Sequence, residues 1–212
     1  MSGLYPVFVD AARLKVLVVG GGEVALRKAR GVTEAGGRPT VVAPALHDEL
    51  RALIQRLRLV WHPRPYETGD ARGHHLVFAA TDAPAVNAAV AREAEAAGAL
   101  VTLADDGEAG TFQVPAVIRR DDVVVAFSTG GASPLLARRL RERLEGVVTP
   151  GLGRAAGRLA RLREELKARF PGDEARRRAA WFSLVTEEFV DAAVAGRDED
   201  VETRIARCLS QS

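Results

Sequence analysis

The chain has 212 residues, 47% of them hydrophobic and 27% charged, with a formal net charge of +2. This is the composition of a globular protein with room for one domain and a substantial extension, or for two small domains. No run approaches the ~20 uncharged apolar residues of a membrane span, and no basic start leads into an apolar signal core, so the expected compartment is the cytoplasm. The single cysteine, Cys208, excludes an intrachain disulfide framework and any multi-cysteine metal site.

Residues 15–19, rich in β-branched valine, read as a strand, followed by Gly20-Gly21-Gly22 and a helix over 23–35 that ends at Gly36-Gly37. Further strands are expected at 39–42, 57–61, 75–79 and 100–103, alternating with helices at 47–57 and 84–97. Asp82 stands where it could cap the helix at Pro84. His74 and His75 are adjacent, so on a strand they point to opposite faces and do not chelate one metal; no metal ligands are assigned. Strand and helix alternation over 1–113 predicts an α/β domain, a Rossmann-like parallel sheet with helices on its faces.

A strand at 122–127 then leads through Ser128-Thr-Gly-Gly-Ala-Ser-Pro134 into a helix over 134–144, and residues 147–152, with Pro150 and Gly151, read as a break. Helices are expected over 154–170, 173–194 and 198–209. These residues are divided into a small dimerisation region, 114–149, and an α-helical C-terminal domain, 150–212. From Arg138 to Arg178 basic residues outnumber acidic ones about two to one, which suggests an anionic partner. An arginine-rich helix is also an ordinary solvated face.

Four places lie beyond the C-terminal ends of the sheet strands, where an open parallel sheet binds its ligand. The first matches G-x-G-x-x-G/A through Gly20, Gly22 and Ala25, with Glu23 and Val24 in the opening turn of the helix. A dinucleotide pyrophosphate would sit on that helix N-terminus. The second, Ala43-Pro44-Ala45, has no acidic residue for the ribose hydroxyls, which departs from the usual pattern. The third contains Thr81. The fourth contains Asp105 and Asp106: one could act as a general base, and Asp-Asp-Gly is equally a common turn. In Ser128, Thr129, Gly130, Gly131 and Ser133 the backbone could cradle an anion, or Ser133-Pro134 could simply open a helix.

These stretches together are more specific than the glycine loop. Leu-Tyr-Pro-Val-Phe (4–8), Val-Val-Gly-Gly-Gly-Glu-Val-Ala (18–25) with Arg-Lys-Ala-Arg (27–30), Ala-Ala-Thr-Asp (79–82) with Asn87, Gly-Thr-Phe-Gln-Val-Pro (110–115) and Val-Ala-Phe-Ser-Thr-Gly-Gly-Ala-Ser-Pro (125–134) with Leu-Ala-Arg (136–138) closely resemble precorrin-2 dehydrogenase, the dehydrogenase and ferrochelatase part of siroheme synthase. The resemblance implies NAD as cofactor, precorrin-2 as substrate, sirohydrochlorin as product and a homodimer. It also implies that ferrous iron is a further substrate in those members that go on to chelate it. The chain is too short for the methyltransferase domain of the fused enzymes, which makes a stand-alone form the expectation. The family's catalytic aspartate lies seven positions before the phenylalanine of Thr-Phe-x-x-Pro, which falls on Asp105 when counted back from Phe112. The position of a serine phosphorylated in some fused members falls on Thr129.

A tetrapyrrole with eight carboxylates accounts for the basic stretch, with Ser128 to Ser133 and Arg138 as candidate substrate-binding residues. No nucleic-acid recognition element accompanies the basic residues. The alternative, from another class, is an NAD-sensing regulatory module of a transport system. Such a module has no reason to carry the turn at 128–134 or the arginine-rich helix after it.

Overall fold

The computed structural model describes residues 3–104 and 109–211. They fall into two compact units, Met1–Val114 and Pro115–Ser212.

The first unit contains β1 (Val16–Val19), α1 (Glu23–Glu34), β2 (Thr40–Val42), α2 (Asp48–Leu57), β3 (Trp61–His62), β4 (Leu76–Ala79), α3 (Pro84–Ala96) and β5 (Leu100–Leu103). All five strands pair in parallel in the order β3-β2-β1-β4-β5. Every residue of β1 and of β4 is buried, as expected of strands covered on both faces. Alternation divides them between two cores. Val16, Val18, Val41 and Phe78 pack with α1 and α2, while Leu17, Val19, Val42, Val77 and Val101 pack with Val90 and Ala94 of α3. The chain runs outward from β1 to β3 and returns to β4, so the strand order reverses between β1 and β4. Such a reversal opens a crevice at the C-terminal ends of the two strands.

The expected strand at 57–61 is corrected to the two residues of β3. Leu57 belongs to α2, which stops because Arg58 takes a left-handed conformation (φ 50°). The Arg38 guanidinium seals this end by donating to the carbonyls of Leu57 at 2.9 Å and Arg58 at 2.8 Å. Asp82 does not cap α3. The cap position is Ala83, without a side-chain bond, and the Thr81 hydroxyl accepts the Ala83 N–H at 3.2 Å instead.

No helix crosses from β3 to β4. The loop is held instead by Glu93 of α3, whose carboxylate accepts the Tyr66 hydroxyl and the Gly69 N–H at 2.7 Å and lies 3.5 Å from Arg72. Burial, and then the bond to Glu93, hold the Tyr66 hydroxyl protonated far above its ordinary range. Glu93→Leu is expected to destabilise the protein by about 2 kcal/mol, because two partly buried donors lose their acceptor; a urea melt measures it. The same loop ends at His74, whose Nδ1 is buried without a hydrogen-bond partner. Burial holds its imidazole below the usual 6.5, against the opposing pull of the main chain at Ala71, Asp70 and Arg72. The unfolded chain therefore takes up the proton first, and stability is expected to fall as the pH drops below 6.5 towards the lowered value. His74→Gln should flatten this part of the stability profile in melts at successive pH values.

The second unit has a hairpin, β6 (Ala116–Arg120) and β7 (Val123–Phe127), then α4 (Pro134–Glu145), α5 (Pro150–Arg169), α6 (Glu174–Leu184), α7 (Glu187–Val194) and α8 (Asp198–Gln211). β6 is absent from the sequence-based expectation: Ala-Val-Ile-Arg-Arg has no full apolar alternation, and its pairing with β7 defines it. The break expected at 147–152 is a helix start, because Thr149 caps α5 by accepting the Leu152 N–H and Pro150 occupies the first turn. One helix expected over 173–194 is two, divided at Val185 and Thr186, where the Thr186 hydroxyl caps α7. Leu162, Leu166, Phe170, Leu184, Phe189 and Val201 form the helical core. Cys208 is buried there, its Sγ 3.6 Å from the Ala180 carbonyl oxygen, so it is a packing residue.

Candidate functional site

The crevice is built by main-chain crowding. Gly20 has φ +128°, and a Cβ there would stand 2.0 Å from the Ala80 carbonyl oxygen after β4. A Cβ on Gly21 would stand 1.9 Å from the Ala45 carbonyl oxygen after β2. The loop is therefore wedged between the ends of its two neighbouring strands, and only glycine fits either slot. Gly22 differs: nothing in the protein lies within 4 Å of where its Cβ would be. It is exposed and caps α1 without a side-chain bond.

The N–H groups of Glu23, Val24 and Ala25 have no intrahelical acceptor in this first turn, and the space in front of Gly22 is open to a ligand. Ala25 is fully buried, which lets α1 lie close on the sheet. The arrangement fits a dinucleotide: N–H groups at a helix start suit a pyrophosphate, and the open space is on the side where a Cβ would obstruct it.

The walls are fixed from behind. Asn87 of α3 is 0% exposed. Its Oδ1 accepts from the Thr81 N–H at 3.1 Å and the Thr81 hydroxyl at 2.8 Å, and its Nδ2 donates to the Thr81 carbonyl at 3.0 Å. Pro44 and Ala45 form the exposed opposite wall. Asn87 appears in the sequence motif but not among the assigned site residues; its spacing of six from Thr81, one helical turn into α3, was the available signal. Gly21 was likewise read only as part of a run, because its crowding comes from β2.

Asp105 and Asp106 lie outside the described residues. Beyond them Thr111 is anchored to β5: its N–H donates to the Val101 carbonyl at 2.8 Å, and its hydroxyl accepts the Val101 N–H at 2.8 Å. Phe112 packs edge-on against Phe78, ring centroids 5.5 Å apart. The Thr-Phe part of the Gly-Thr-Phe-Gln-Val-Pro motif therefore ties the returning chain to the sheet.

In the second unit the turn between β7 and α4 is closed by its own side chains. The Ser128 hydroxyl accepts the Gly130 N–H at 3.0 Å, and the Thr129 hydroxyl lies 3.4 Å from the Ser133 N–H. Gly130 and Gly131 take φ 62° and 82°. The Ser133 hydroxyl caps α4 by accepting the Leu136 N–H at 3.1 Å, so its helix-entry role is observed. Arg138 is exposed and 3.5 Å from Glu142. Arg139 also pairs with Glu142 and Arg141 with Glu145, and Arg154 and Arg158 share Asp198, which lies outside the counted stretch and lowers its excess. A groove beside α4 is lined by Ala116, Pro134, Ala137, Arg138, Arg141 and Glu145.

A glycine loop wedged at the reversal point of a five-stranded parallel sheet, with an uncapped helix start in front of it, defines an NAD(P)-binding α/β protein. A family model described as NAD(P)-binding matches residues 7–116, and one described as "Sirohaem biosynthesis protein central" matches residues 125–146. The siroheme synthase of Chromobacterium violaceum is 43% identical over 206 residues, 95% of this chain and 44% of that protein. The siroheme synthase of Nitrosomonas europaea is 36% identical over 208 residues, 98% of this chain and 44% of that protein. The chain thus spans less than half the length of these curated relatives. The solved structure of "SirC, precorrin-2 dehydrogenase" aligns with TM-score 0.77 and 27% identity, covering 96% of this chain and all of that one. The chain belongs to this NAD(P)-binding family.

Proposed function

We propose that the chain oxidises precorrin-2 to sirohydrochlorin with NAD, as a precorrin-2 dehydrogenase of siroheme or related tetrapyrrole biosynthesis. The observation that carries this is full-length similarity to a precorrin-2 dehydrogenase in a chain whose own crevice fits a dinucleotide. When bound, NAD supplies the two-electron acceptor. The chain's part is to hold it: the first-turn N–H groups of α1 (Glu23, Val24, Ala25) face the pyrophosphate past Gly20 and Gly22, Pro44 and Ala45 bound the ribose end, and Thr81 bounds the crevice after β4. Asp105, assigned by the family resemblance through its spacing to Phe112, accepts the proton that leaves the macrocycle. Ser128, Thr129, Gly130, Gly131, Ser133 and Arg138 contact the substrate carboxylates. Fluorescence titration tests the substrate class: sirohydrochlorin should bind the protein with NAD present, whereas NAD binding without tetrapyrrole binding would support a nucleotide-sensing module.

The active form is a homodimer. α4 buries none of its residues within one chain, and Leu135, Leu136 and Leu140 are 64%, 50% and 38% exposed. An apolar stripe of this kind is ordinarily covered by a partner. Insertion of ferrous iron into sirohydrochlorin is a separate activity: anaerobic insertion at low iron faster than without enzyme would establish it, and equal rates would reject it. No helix among the described residues is long and apolar enough to cross a membrane.

A further inference from the structure

We infer that Trp61 is a positioning residue for the cofactor site: by holding the buried Ala43, its indole N–H fixes the exposed wall of Pro44 and Ala45 against which the ribose end rests. The inference rests on NAD(P) binding in the crevice and explains how the site manages without the acidic residue that usually ends the second strand. Ala, Pro and Ala offer no polar side-chain atom, and proline has no N–H. At these three residues ribose hydroxyls can meet peptide groups alone, whose value depends on where the backbone is fixed.

The wall is anchored at both flanks. Ala43 donates its N–H to the His62 carbonyl at 3.2 Å, and its own carbonyl accepts the Trp61 indole N–H at 3.0 Å. At the other end the Ala45 carbonyl fills the slot beside Gly21, and the His47 N–H donates to the Gly21 carbonyl at 2.7 Å. β3 pairs with β2 through only Val41 to Trp61 and Val42 to His62. So short an edge strand gives β2 few bonds on this side, and at Ala43, one residue past the register, the indole bond adds a second anchor to the main-chain bond where the wall begins. The half-buried ring is itself held, with the Arg51 guanidinium 5.4 Å from its centroid.

Trp61→Phe keeps an aromatic ring beneath Arg51 and removes the N–H donor together with part of the indole's bulk. By calorimetry, dissociation constants for NAD and for ADP-ribose should rise about fivefold, the worth of one neutral hydrogen bond, while that for reduced nicotinamide mononucleotide stays unchanged. Unchanged ADP-ribose binding would overturn the inference, as would equal weakening of all three ligands, the mark of general damage. Failure of the wild-type protein to bind NAD at all would instead overturn the cofactor assignment. Should the variant not fold, the wild-type indole N–H resonance of Trp61 decides: it should respond to ADP-ribose and not to the mononucleotide, and the reverse pattern contradicts the role.

Discussion

Gly22→Ala is expected to weaken NAD binding by on the order of a hundredfold while leaving the fold intact. The two effects separate because of what surrounds this glycine. Nothing in the protein lies within 4 Å of the added methyl, and φ is −85°, so the backbone accommodates alanine. Loss of the glycine cap costs at most about 1 kcal/mol. The methyl instead enters the space through which the first-turn N–H groups reach the pyrophosphate, and losing two bonds to a charged group at about 1.5 kcal/mol each accounts for the factor. Gly21→Ala makes the contrast: its methyl would lie 1.9 Å from the Ala45 carbonyl oxygen, so the loop and β2 end must move and the melting temperature falls with the affinity. Calorimetry beside thermal melts checks both; equal NAD affinity in Gly22→Ala would remove the pyrophosphate from this helix.

Asp105→Asn is expected to lower kcat by about a hundredfold or more with little change in the dissociation constant for NAD. The amide keeps the size of the carboxylate and loses its basicity, and positioned general bases contribute about 10²–10⁴ in rate. Asp106→Asn should have a much smaller effect, because the resemblance to precorrin-2 dehydrogenase places the catalytic aspartate seven residues before Phe112, at Asp105. Steady-state turnover of both variants separates the two neighbours, and an unchanged rate in Asp105→Asn would remove the assigned base.

The sheet domain was legible in the sequence because its signals are local. The buried runs at 16–19 and 76–79 are apolar throughout, and Gly36 ends α1 where a left-handed residue was expected. Errors arose where a distant partner decides the outcome. The run 57–61 continues the apolar pattern of α2, and only the conformation of Arg58 and the Arg38 bonds separate helix from strand. Pro150 and Gly151 were read as a break because the pattern of a helix start resembles that of a loop until the Thr149 cap is seen.

The site shows the same division. Gly20, Gly22 and Ala25 follow a spacing, so they could be read directly. The clamp of Asn87 on Thr81 and the bond from Trp61 to Ala43 join residues whose meeting depends on the fold. Charge counted along the basic stretch could not include Asp198, which pairs with Arg154 and Arg158 only once the helices fold together. Asp105 was assigned by the family resemblance through its distance from a motif, and that motif has a physical purpose in the anchoring of Thr111 and Phe112.

The most direct test of the proposed activity is anaerobic incubation of the purified protein with precorrin-2 and NAD, following NADH and tetrapyrrole absorbance together. One NADH is expected for each sirohydrochlorin formed, at a rate proportional to enzyme. Tight NAD binding with no NADH formed from authentic precorrin-2 would contradict the account.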